Sequence, residues 1–278
     1  MKKILFLSIF VLLAVMAFSQ DYARSRVQFS INGGLTFPMG KFGETSNEWY
    51  SVPFSLNGDE LETGYGAAKM GYIGSLKLHI PVYDDYNDNI IGVIVKFNFL
   101  YNGMTDTEKK DFRSLIENLA DNSNEYYGVY AYNYKMNKYP NYLNYSFMTG
   151  FDYTHYFSDN FAVFAEASLG VNLATITKTK INNLAGGTYL YTEGYTHYYS
   201  ADNTTIKYKN KVNVAYEIGA GVFLFDHVSL GAYYTGFSPF QVEATMTESG
   251  RYGDDINTDI TSSKLKISVV SVQLGIHF

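Results

Sequence analysis

The chain has 278 residues, a formal net charge of −6 and no cysteine. The lack of cysteine excludes a disulfide-stapled scaffold and a zinc site built on thiolates. The acidic balance argues against nucleic-acid binding, because contact with phosphate backbones needs clustered lysine and arginine. The five histidines are scattered without the spacing of metal ligands, so we predict no metal and no cofactor.

The first twenty residues, MKKILFLSIFVLLAVMAFSQ, are typical of a secretory signal peptide. Two lysines precede an apolar run over residues 4–18, which is shorter than the roughly 20 residues of a membrane-spanning helix. A small-residue junction follows, so we expect residues 1–19 to be removed by cleavage between Ser19 and Gln20. A retained N-terminal anchor is the alternative. Loss of the two lysines moves the net charge from −6 to −8 and leaves residues 20–278 as a single domain.

Beyond residue 20 the sequence is typical of an all-β protein. It is rich in aromatic residues, with 27 Tyr and 20 Phe, and glycine and asparagine punctuate its apolar stretches. Eight segments alternate with a period of two, as expected of strands that have one apolar face. In chain order the segments are residues 27–37, 67–82, 91–101, 142–157, 161–173, 211–225, 228–234 and 268–278.

The connections between these segments alternate in length. The short ones, after the second, fourth and sixth segments, are residues 83–89, 158–160 and 226–227. The long ones, after the first, third, fifth and seventh segments, are roughly residues 38–66, 102–140, 176–208 and 238–263. Short turns at one end and long loops at the other are typical of a transmembrane β-barrel, with the turns in the periplasm and the loops outside. We therefore predict an eight-stranded antiparallel up-and-down outer-membrane barrel.

The two faces of the segments differ in chemistry. One face carries large apolar residues and almost no charge, with His155 as the exception in the middle segments. The opposite face carries many of the glycines and the charged residues Lys69, Lys77, Lys96, Asp152, Glu166 and Glu217. In a membrane barrel the first face would meet lipid and the second would line the lumen, whereas a soluble β-domain would pack its apolar face inside. The signal peptide, the loop asymmetry and the charge parity together favour the membrane barrel.

The chain ends on SVVSVQLGIHF, an apolar alternation that runs to the last residue. This ending resembles the C-terminal assembly signal of Gram-negative outer-membrane barrels. The stretches YFSDNFAVFAEASLGVNL and YEIGAGVFLFDHVSLGAYY are similar to the small outer-membrane β-barrel domain family, which includes OmpX-like, OmpA-like and PorT-like barrels. The resemblance covers most of residues 26–278 apart from the long loops, and it specifies fold better than function. It implies that the barrel-assembly machinery reads Val272, Leu274, Ile276 and Phe278.

The charges of the lumen face are predicted to form one layer. Counted from the nearest turn, all but Lys69 lie about six to nine residues along their segments, which at about 3.3 Å per residue puts them at similar heights. Charges in a confined interior must be paired. We interpret them as a structural ion-pair network, because eight-stranded barrels are filled by side chains. A proton or ion path is the alternative.

The long loops carry two further features. A Thr105-x-x-Glu108 capping box, followed by apolar residues at helical spacing, predicts an amphipathic helix from about Asp106 to Ala120. The stretches NEYYGVYAYNYKMNKYPNYLNY and GGTYLYTEGYTHYY would extend strands three to six into hairpins above the membrane. Tyrosine gives contact area at low entropic cost, so such a surface suits binding of a protein or glycan. An interfacial tyrosine girdle is the alternative explanation for part of the cluster.

Catalysis is not predicted. The nearest candidate is THYYSADN, which places His197, Ser200 and Asp202 in one long loop. A Ser–His pair needs hydrogen-bond contact and a third orienting group, and proximity in a loop provides neither.

The sequence therefore predicts a non-enzymatic outer-membrane barrel that anchors a tyrosine-rich extracellular loop crown, for envelope integrity or surface binding. A ten-stranded barrel built with the tyrosine hairpins is the alternative fold. A narrow pore or an accessory component of a secretion system is the alternative function. The expected partners are outer-membrane lipid and lipopolysaccharide, the barrel-assembly machinery and an extracellular protein or glycan, but not nucleic acid.

Overall fold

The structure is a computed structural model that describes residues 27–45, 53, 63–85, 88–111, 113–114, 135–182, 201–225, 227–250 and 255–278. The predicted signal peptide, its cleavage site at Ser19 and Gln20, and most of the tyrosine-rich stretches lie outside the described residues. Within the described ranges, no helix is long and apolar enough to cross a membrane.

The described chain forms two β-sheets. Its strands are β1 (Gln28–Pro38), β2 (Ala68–Asp84), β3 (Asn89–Met104), β4 (Lys135–Lys138), β5 (Tyr142–Ser158), β6 (Phe161–Ile176), β7 (Thr179–Asn182), β8 (Ala201–Tyr208), β9 (Lys211–Leu224), β10 (Val228–Phe237), β11 (Phe240–Gly250), β12 (Ile256–Leu265) and β13 (Ser268–His277). Eight of them close into a barrel in the order β1-β13-β10-β9-β6-β5-β3-β2. The other five form a sheet in the order β12-β11-β8-β7-β4, which we call the extension sheet.

The barrel is antiparallel throughout, and its strands coincide with the eight alternating segments of the sequence. The eight-stranded prediction is therefore confirmed, and the ten-stranded alternative is wrong. The first and last strands close the cylinder, where Phe29 and Phe278 exchange backbone hydrogen bonds of 3.1 and 2.8 Å. Closure leaves no barrel strand with an unpaired edge, as a bilayer requires.

The predicted asymmetry of the connections is also confirmed. Short turns join β2 to β3, β5 to β6 and β9 to β10 at one end, which we call the turn end. In the first of these turns Asp85 Oδ1 accepts hydrogen bonds of 3.0 Å from the backbone N–H groups of Asp88 and Asn89. All the long connections leave from the opposite end, which we call the loop end.

The barrel is apolar outside and polar inside. Its outward side chains form an apolar band, which we call the outer belt and which includes Ile31, Leu35, Leu76, Phe97, Phe147, Phe151, Leu169, Val171, Ile218, Leu230, Val272 and Leu274. Two of them, Phe151 and Leu169, are 65% and 60% exposed. The inward positions of the same strands carry buried serine, threonine, asparagine and charged residues. Soluble proteins rarely expose a continuous apolar surface of this size, because its contact with water is unfavourable. The outer belt is therefore a lipid-facing surface.

The extension sheet continues the barrel strands beyond the loop end. Two or three residues separate β4 from β5, β7 from β6, β8 from β9, β11 from β10 and β12 from β13. Two of these breaks contain Pro140 and Pro239, which cannot donate a ladder hydrogen bond. The predicted extension of strands three to six is found in part, as the pairs β4–β7 and β7–β8.

The predicted helix after β3 begins where expected. Residues 106–111 and 113–114 are helical, and Thr105 Oγ1 accepts a 3.4 Å hydrogen bond from the backbone N–H of Glu108. This is one half of the predicted capping box. The other predicted residues of the helix, 112 and 115–120, lie outside the described part of the chain.

An apolar cluster joins the loop end of the barrel to the extension sheet. Phe42, from a short 3₁₀ helix (Gly40–Phe42), packs edge-on against Tyr142 of β5 with their ring centroids 5.0 Å apart. The cluster also takes residues from the inner barrel wall and from the extension sheet, namely Ile73, Leu100, Met148, Ile176, Phe240, Val242 and Leu265. Buried apolar side chains therefore fill this end of the lumen.

A charge on the outer belt should be costly. We expect Leu169→Arg to destabilise the folded barrel in liposomes by about 2–4 kcal/mol, because its side chain would lie in hydrocarbon. Ile256→Arg, on the extension sheet, is the control, and as an exposed site outside lipid it should change stability by less than about 0.5 kcal/mol. Unfolding in guanidinium, followed by the tryptophan or tyrosine signal, measures both. Equal effects of the two substitutions would show that the belt faces water.

Candidate functional site

The centre of the lumen is built on two lysines of neighbouring strands. Lys77 of β2 and Lys96 of β3 lie directly opposite each other, and both are buried. Like charges in this relation repel. Glu166 of β6 bridges them, because its Oε2 accepts from Lys77 Nζ at 2.9 Å and its Oε1 accepts from Lys96 Nζ at 2.5 Å.

A second glutamate completes the group. Glu217 of β9 accepts a hydrogen bond from Lys96 Nζ with one carboxylate oxygen. Its other oxygen accepts from Asn98 Nδ2 at 3.1 Å and from Thr235 Oγ1 at 2.7 Å. Two ammonium groups and two carboxylates cancel, so the cluster is electrically neutral. Burial of these charges is tolerable because each one is both paired and hydrogen-bonded.

Aromatic rings flank the two lysines. The Tyr233 ring centroid lies 4.7 Å from Lys96 Nζ, and the Phe164 ring centroid lies 5.3 Å from Lys77 Nζ. Both distances are within the range of cation–π attraction. The two rings belong to a second buried cluster with Ile90, Tyr156, Ala162 and Phe223. The neutral charge cluster thus has apolar packing on either side of it along the barrel.

Asp152, predicted in the same network, has a different partner. Its Oδ2 lies 2.8 Å from Nδ1 of His79, and both residues are buried. Its Oδ1 is buried and has no hydrogen-bond partner among the described residues. Gly92 lies against this pair, and a Cβ built there would be 2.2 Å from His79 Cε1 and 2.6 Å from Asp152 Oδ1. The pair therefore depends on a glycine at position 92.

A small pocket opens beside this pair at the turn end of the barrel. It is lined by Gln28, Ser30, Lys77, His79, Ile90, Asp152, Thr154, Tyr156, Phe223 and His277. His277 Nε2 lies 2.8 Å from Ser229 Oγ, which places a second buried histidine at this end of the lumen. Within the described ranges, no group of three or more His, Cys, Asp and Glu residues is arranged to hold a metal ion.

Lys69 does not join the lumen network, contrary to the prediction. It lies at the loop-end start of β2, where its side chain is exposed and its Nζ is 3.5 Å from Asp106 Oδ1. Lys109 Nζ contacts the same carboxylate at 2.9 Å, and that hydrogen bond lowers the pKa of Asp106. The inward prediction for Lys69 is wrong because the register of β2 against β3 shifts between Ala68 and Gly71, which breaks the alternation at this residue. Lys69 and Met70 are consecutive exposed residues.

Several residues of the site were missed in the sequence. His79, Asn98, Tyr233, Thr235 and His277 all occupy inward positions of their strands. The same alternation that identified the charged residues marks each of them as inward. Nothing in one sequence indicates which inward residues meet across the lumen, because that depends on the stagger of the strands.

The residues of the predicted C-terminal assembly signal lie on the last barrel strand and at the chain end. Val272, Leu274 and Ile276 face outward on β13, and Phe278 is held by the backbone of Phe29. Whether the assembly machinery reads them stays a prediction. His197 and Ser200 lie outside the described residues, as does the side chain of Asp202.

No protein-family model and no curated protein matches the chain. Among solved structures, it is similar to Ail of Yersinia pestis, in complex with a heparin analogue, with 13% identity over 91% of this chain and 99% of that chain and a TM-score of 0.37. It is also similar to the outer membrane protein OprG of Pseudomonas aeruginosa, with 11% identity over 91% and 97% of the two chains and a TM-score of 0.39. A third is a major outer membrane protein of Thermus thermophilus, with 9% identity over 91% and 99% of the two chains and a TM-score of 0.38. At this level of sequence identity and TM-score, the similarity carries no argument about the function of this chain. Its own closed ladder and outer belt give it the architecture of a small outer-membrane β-barrel.

Removal of one buried lysine should destabilise the barrel strongly. We expect Lys96→Met to cost about 3–5 kcal/mol, because the buried Glu217 would lose its lysine partner while Glu166 would keep only Lys77. Lys209→Met, which removes an exposed lysine 3.7 Å from Glu243, is the control and should cost less than about 1 kcal/mol. Denaturant unfolding in detergent micelles measures both. The double variant Lys96→Met/Glu217→Gln should recover part of the loss, and a purely additive result would contradict the pairing.

The glycine beside the His79–Asp152 pair should resist substitution. We expect Gly92→Ala to cost about 1–3 kcal/mol, because its methyl group would displace that pair. Gly74→Ala is the control, since a Cβ there meets no atom within 4 Å. In an Asp152→Ala background the cost of Gly92→Ala should fall, and thermal melting of the four variants tests this coupling. An unchanged cost in that background would mean that the pair is not what the glycine accommodates.

Proposed function

We propose that the protein is a non-enzymatic outer-membrane barrel whose loop end presents a rigid extension sheet on the cell surface. In this proposal the barrel is an anchor, and the surface that it carries serves envelope integrity or binding. The observation that carries the proposal is a combination of two features. Five barrel strands continue as a hydrogen-bonded sheet beyond the outer belt, and the lumen beneath that sheet is filled by side chains.

The contacts between the extension sheet and the barrel support the anchoring role. Lys211, at the start of β9, donates a hydrogen bond to Glu243 of β11, and this contact lowers the pKa of the Glu243 carboxyl. Asn213 Nδ2 donates to the backbone carbonyl of Ser238 at 2.7 Å. Tyr208 of β8 packs against the apolar cluster that joins the barrel to the sheet, and burial raises the pKa of its hydroxyl group. Together with the shared apolar cluster, these contacts hold the sheet as a continuation of the barrel wall.

The filled lumen favours an anchor over a pore. From the turn end to the loop end, the inward side chains form an aromatic cluster, a neutral charge cluster and an apolar cluster. A water-filled path would need polar side chains with room between them, whereas these groups are buried against one another. The charge cluster is also neutral, so it presents no net charge that would attract an ion of either sign.

Planar-bilayer recording tests the closed lumen. We expect the purified full chain to insert without uniform conductance steps, because side chains block the barrel. Phe42→Ala combined with Met148→Ala removes two buried side chains from the apolar cluster and is the positive control, with an expected increase in conductance events. Uniform steps from the unaltered protein would overturn the anchor proposal in favour of the pore.

Surface cross-linking tests the binding role. A photoreactive residue in place of Thr205, an outward position of β8 in the extension sheet, should give discrete cross-linked products on intact cells. The same residue in place of Asp159, in the turn between β5 and β6, is the matched control and should give none of those products. If both positions give the same products, the extension sheet has no specific surface partner.

A further inference from the structure

The first long connection, between β1 and β2, closes the loop end of the lumen. Its described arms, residues 40–44 and 63–67, fold against each other and carry Phe42 into the apolar cluster, where it is buried. The two arms are tied together by a 2.7 Å hydrogen bond from the backbone N–H of Gly66 to the carbonyl of Lys41. We call residues 40–44 and 63–67 the plug.

Contacts with the surrounding wall hold the plug in place. The hydroxyl group of Tyr142 on β5 donates a hydrogen bond to the carbonyl of Gly66. The hydroxyl group of Tyr208 on β8 donates at 2.7 Å to the carbonyl of Pro53, which lies between the two arms in the sequence. The backbone of β12 accepts a third hydrogen bond, of 2.9 Å, from the N–H of Gly64. The first connection is therefore held by the extension sheet as well as by the barrel.

The backbone of the plug is strained at one end. Ala67, its last residue, is fully buried and has a φ of +48°. This left-handed region is unfavourable for a residue with a Cβ, so the conformation persists only because the surroundings hold it. Here the N–H of Ala67 donates to the carbonyl of Glu44 at 3.1 Å, and its carbonyl accepts from the N–H of Thr105 at 2.8 Å. The closed plug thus stores strain at the point where it meets β2.

The lumen wall beneath the plug carries polar atoms that have no hydrogen-bond partner among the described residues. They belong to inward residues on the loop-end side of the charge cluster, each at most 3% exposed, namely Ser75 Oγ, Asn98 Oδ1, Asn102 Oδ1, Asn144 Nδ2 and Asn172 Oδ1. A buried polar atom without a partner costs free energy, which contact with water would restore. The closed state therefore leaves unsatisfied the groups that water could pair with.

These costs oppose the apolar packing of the plug. In the closed state Phe42 and Tyr142 are buried, but Ala67 is strained and the polar atoms lack partners. In an open state the strain is released and water reaches the polar atoms, but the two rings lose their packing. Packed elements that have two arrangements of similar free energy can switch between them. We propose that the plug is a movable closure, which opens the loop-end half of the lumen to external water when the hydrogen bonds of Tyr142 and Tyr208 are released.

Cysteine labelling tests the closure, because the chain has no cysteine of its own. Ser75→Cys places a thiol beneath the plug. The full chain in neutral detergent micelles is treated with a charged, membrane-impermeant thiol reagent, and the reaction rate is followed by mass spectrometry. We expect slow labelling, at a rate that follows the open fraction. Tyr142→Phe combined with Tyr208→Phe should raise this rate about tenfold or more, because two hydrogen bonds of ordinary net strength would no longer favour the closed state.

Two controls separate opening of the plug from loosening of the barrel. Tyr101→Phe removes a hydroxyl group whose 3.2 Å hydrogen bond goes to Asn141 Oδ1 and not to the plug, so it should leave the labelling rate of Ser75→Cys unchanged. Thr154→Cys places a buried thiol at the turn end, on the other side of the charge cluster. The double tyrosine variant should not accelerate its labelling. Equal acceleration at both thiols would show general loosening and would overturn the inference.

Heat-modifiable migration on a detergent gel shows whether each variant is a folded barrel. If Ser75→Cys does not fold, Ser146→Cys replaces it, because Ser146 is a second buried, inward serine in the loop-end half of the lumen. A folded reporter that reacts no faster in the double tyrosine variant would contradict the inference, since the two hydroxyl groups would then not hold the plug. No labelling in either background would also overturn it, because the lumen would be permanently closed.

Discussion

The structure depends on one constraint, which is that lipid, and not a packed protein core, solvates the apolar face of every barrel strand. A bilayer offers no hydrogen bonds, so each backbone group in that region must bond within the sheet. An eight-stranded ladder closed between β1 and β13 meets this requirement. Because the apolar residues of each strand face lipid, the polar residues of the same strand must face the narrow lumen. A soluble protein has the opposite arrangement, with apolar residues inside and polar residues outside.

That inversion makes the lumen a problem of charge compensation. The register of β2 and β3 forces Lys77 against Lys96, an arrangement that would be unstable alone. Glu166 and Glu217 neutralise the two lysines. The second carboxylate oxygen of Glu217 accepts hydrogen bonds from the uncharged side chains of Asn98 and Thr235. Such a cluster gains little over an apolar filling of equal volume, but losing one member is costly. Its benefit is specificity of register, since a slip of one residue on β2, β3, β6 or β9 would turn a charged side chain toward lipid.

The alternation of the sequence was enough to predict the barrel, its strands and the inward side of each strand, because a period of two separates the two faces without reference to any other strand. It could not predict pairing across the lumen. Asp152 meets His79 and not a lysine, and Lys69 stands at the loop end with Asp106. The first depends on strand stagger, which is a property of the closed cylinder. The second depends on the register shift between Ala68 and Gly71, which interrupts the alternation. The extension sheet was anticipated only in part, because short breaks such as those at Pro140 and Pro239 interrupt the alternation before each extension strand.

Continuity between barrel and extension sheet explains why function is best sought on strands here. A free loop loses conformational entropy when it binds a partner, which weakens binding, whereas side chains on a paired strand are already held in place. Each extension strand is tied to a barrel strand by only two or three residues, so the barrel fixes the height of the sheet above the outer belt. Opposite lysines occur in both sheets, as Lys77 and Lys96 on β2 and β3 and as Lys138 and Lys180 on β4 and β7. Inside, the chain supplies the anions from its own strands. Outside, Lys211 of β9 and Lys209 contact the carboxylate of Glu243 on β11, so charge pairing there ties the sheet to the barrel.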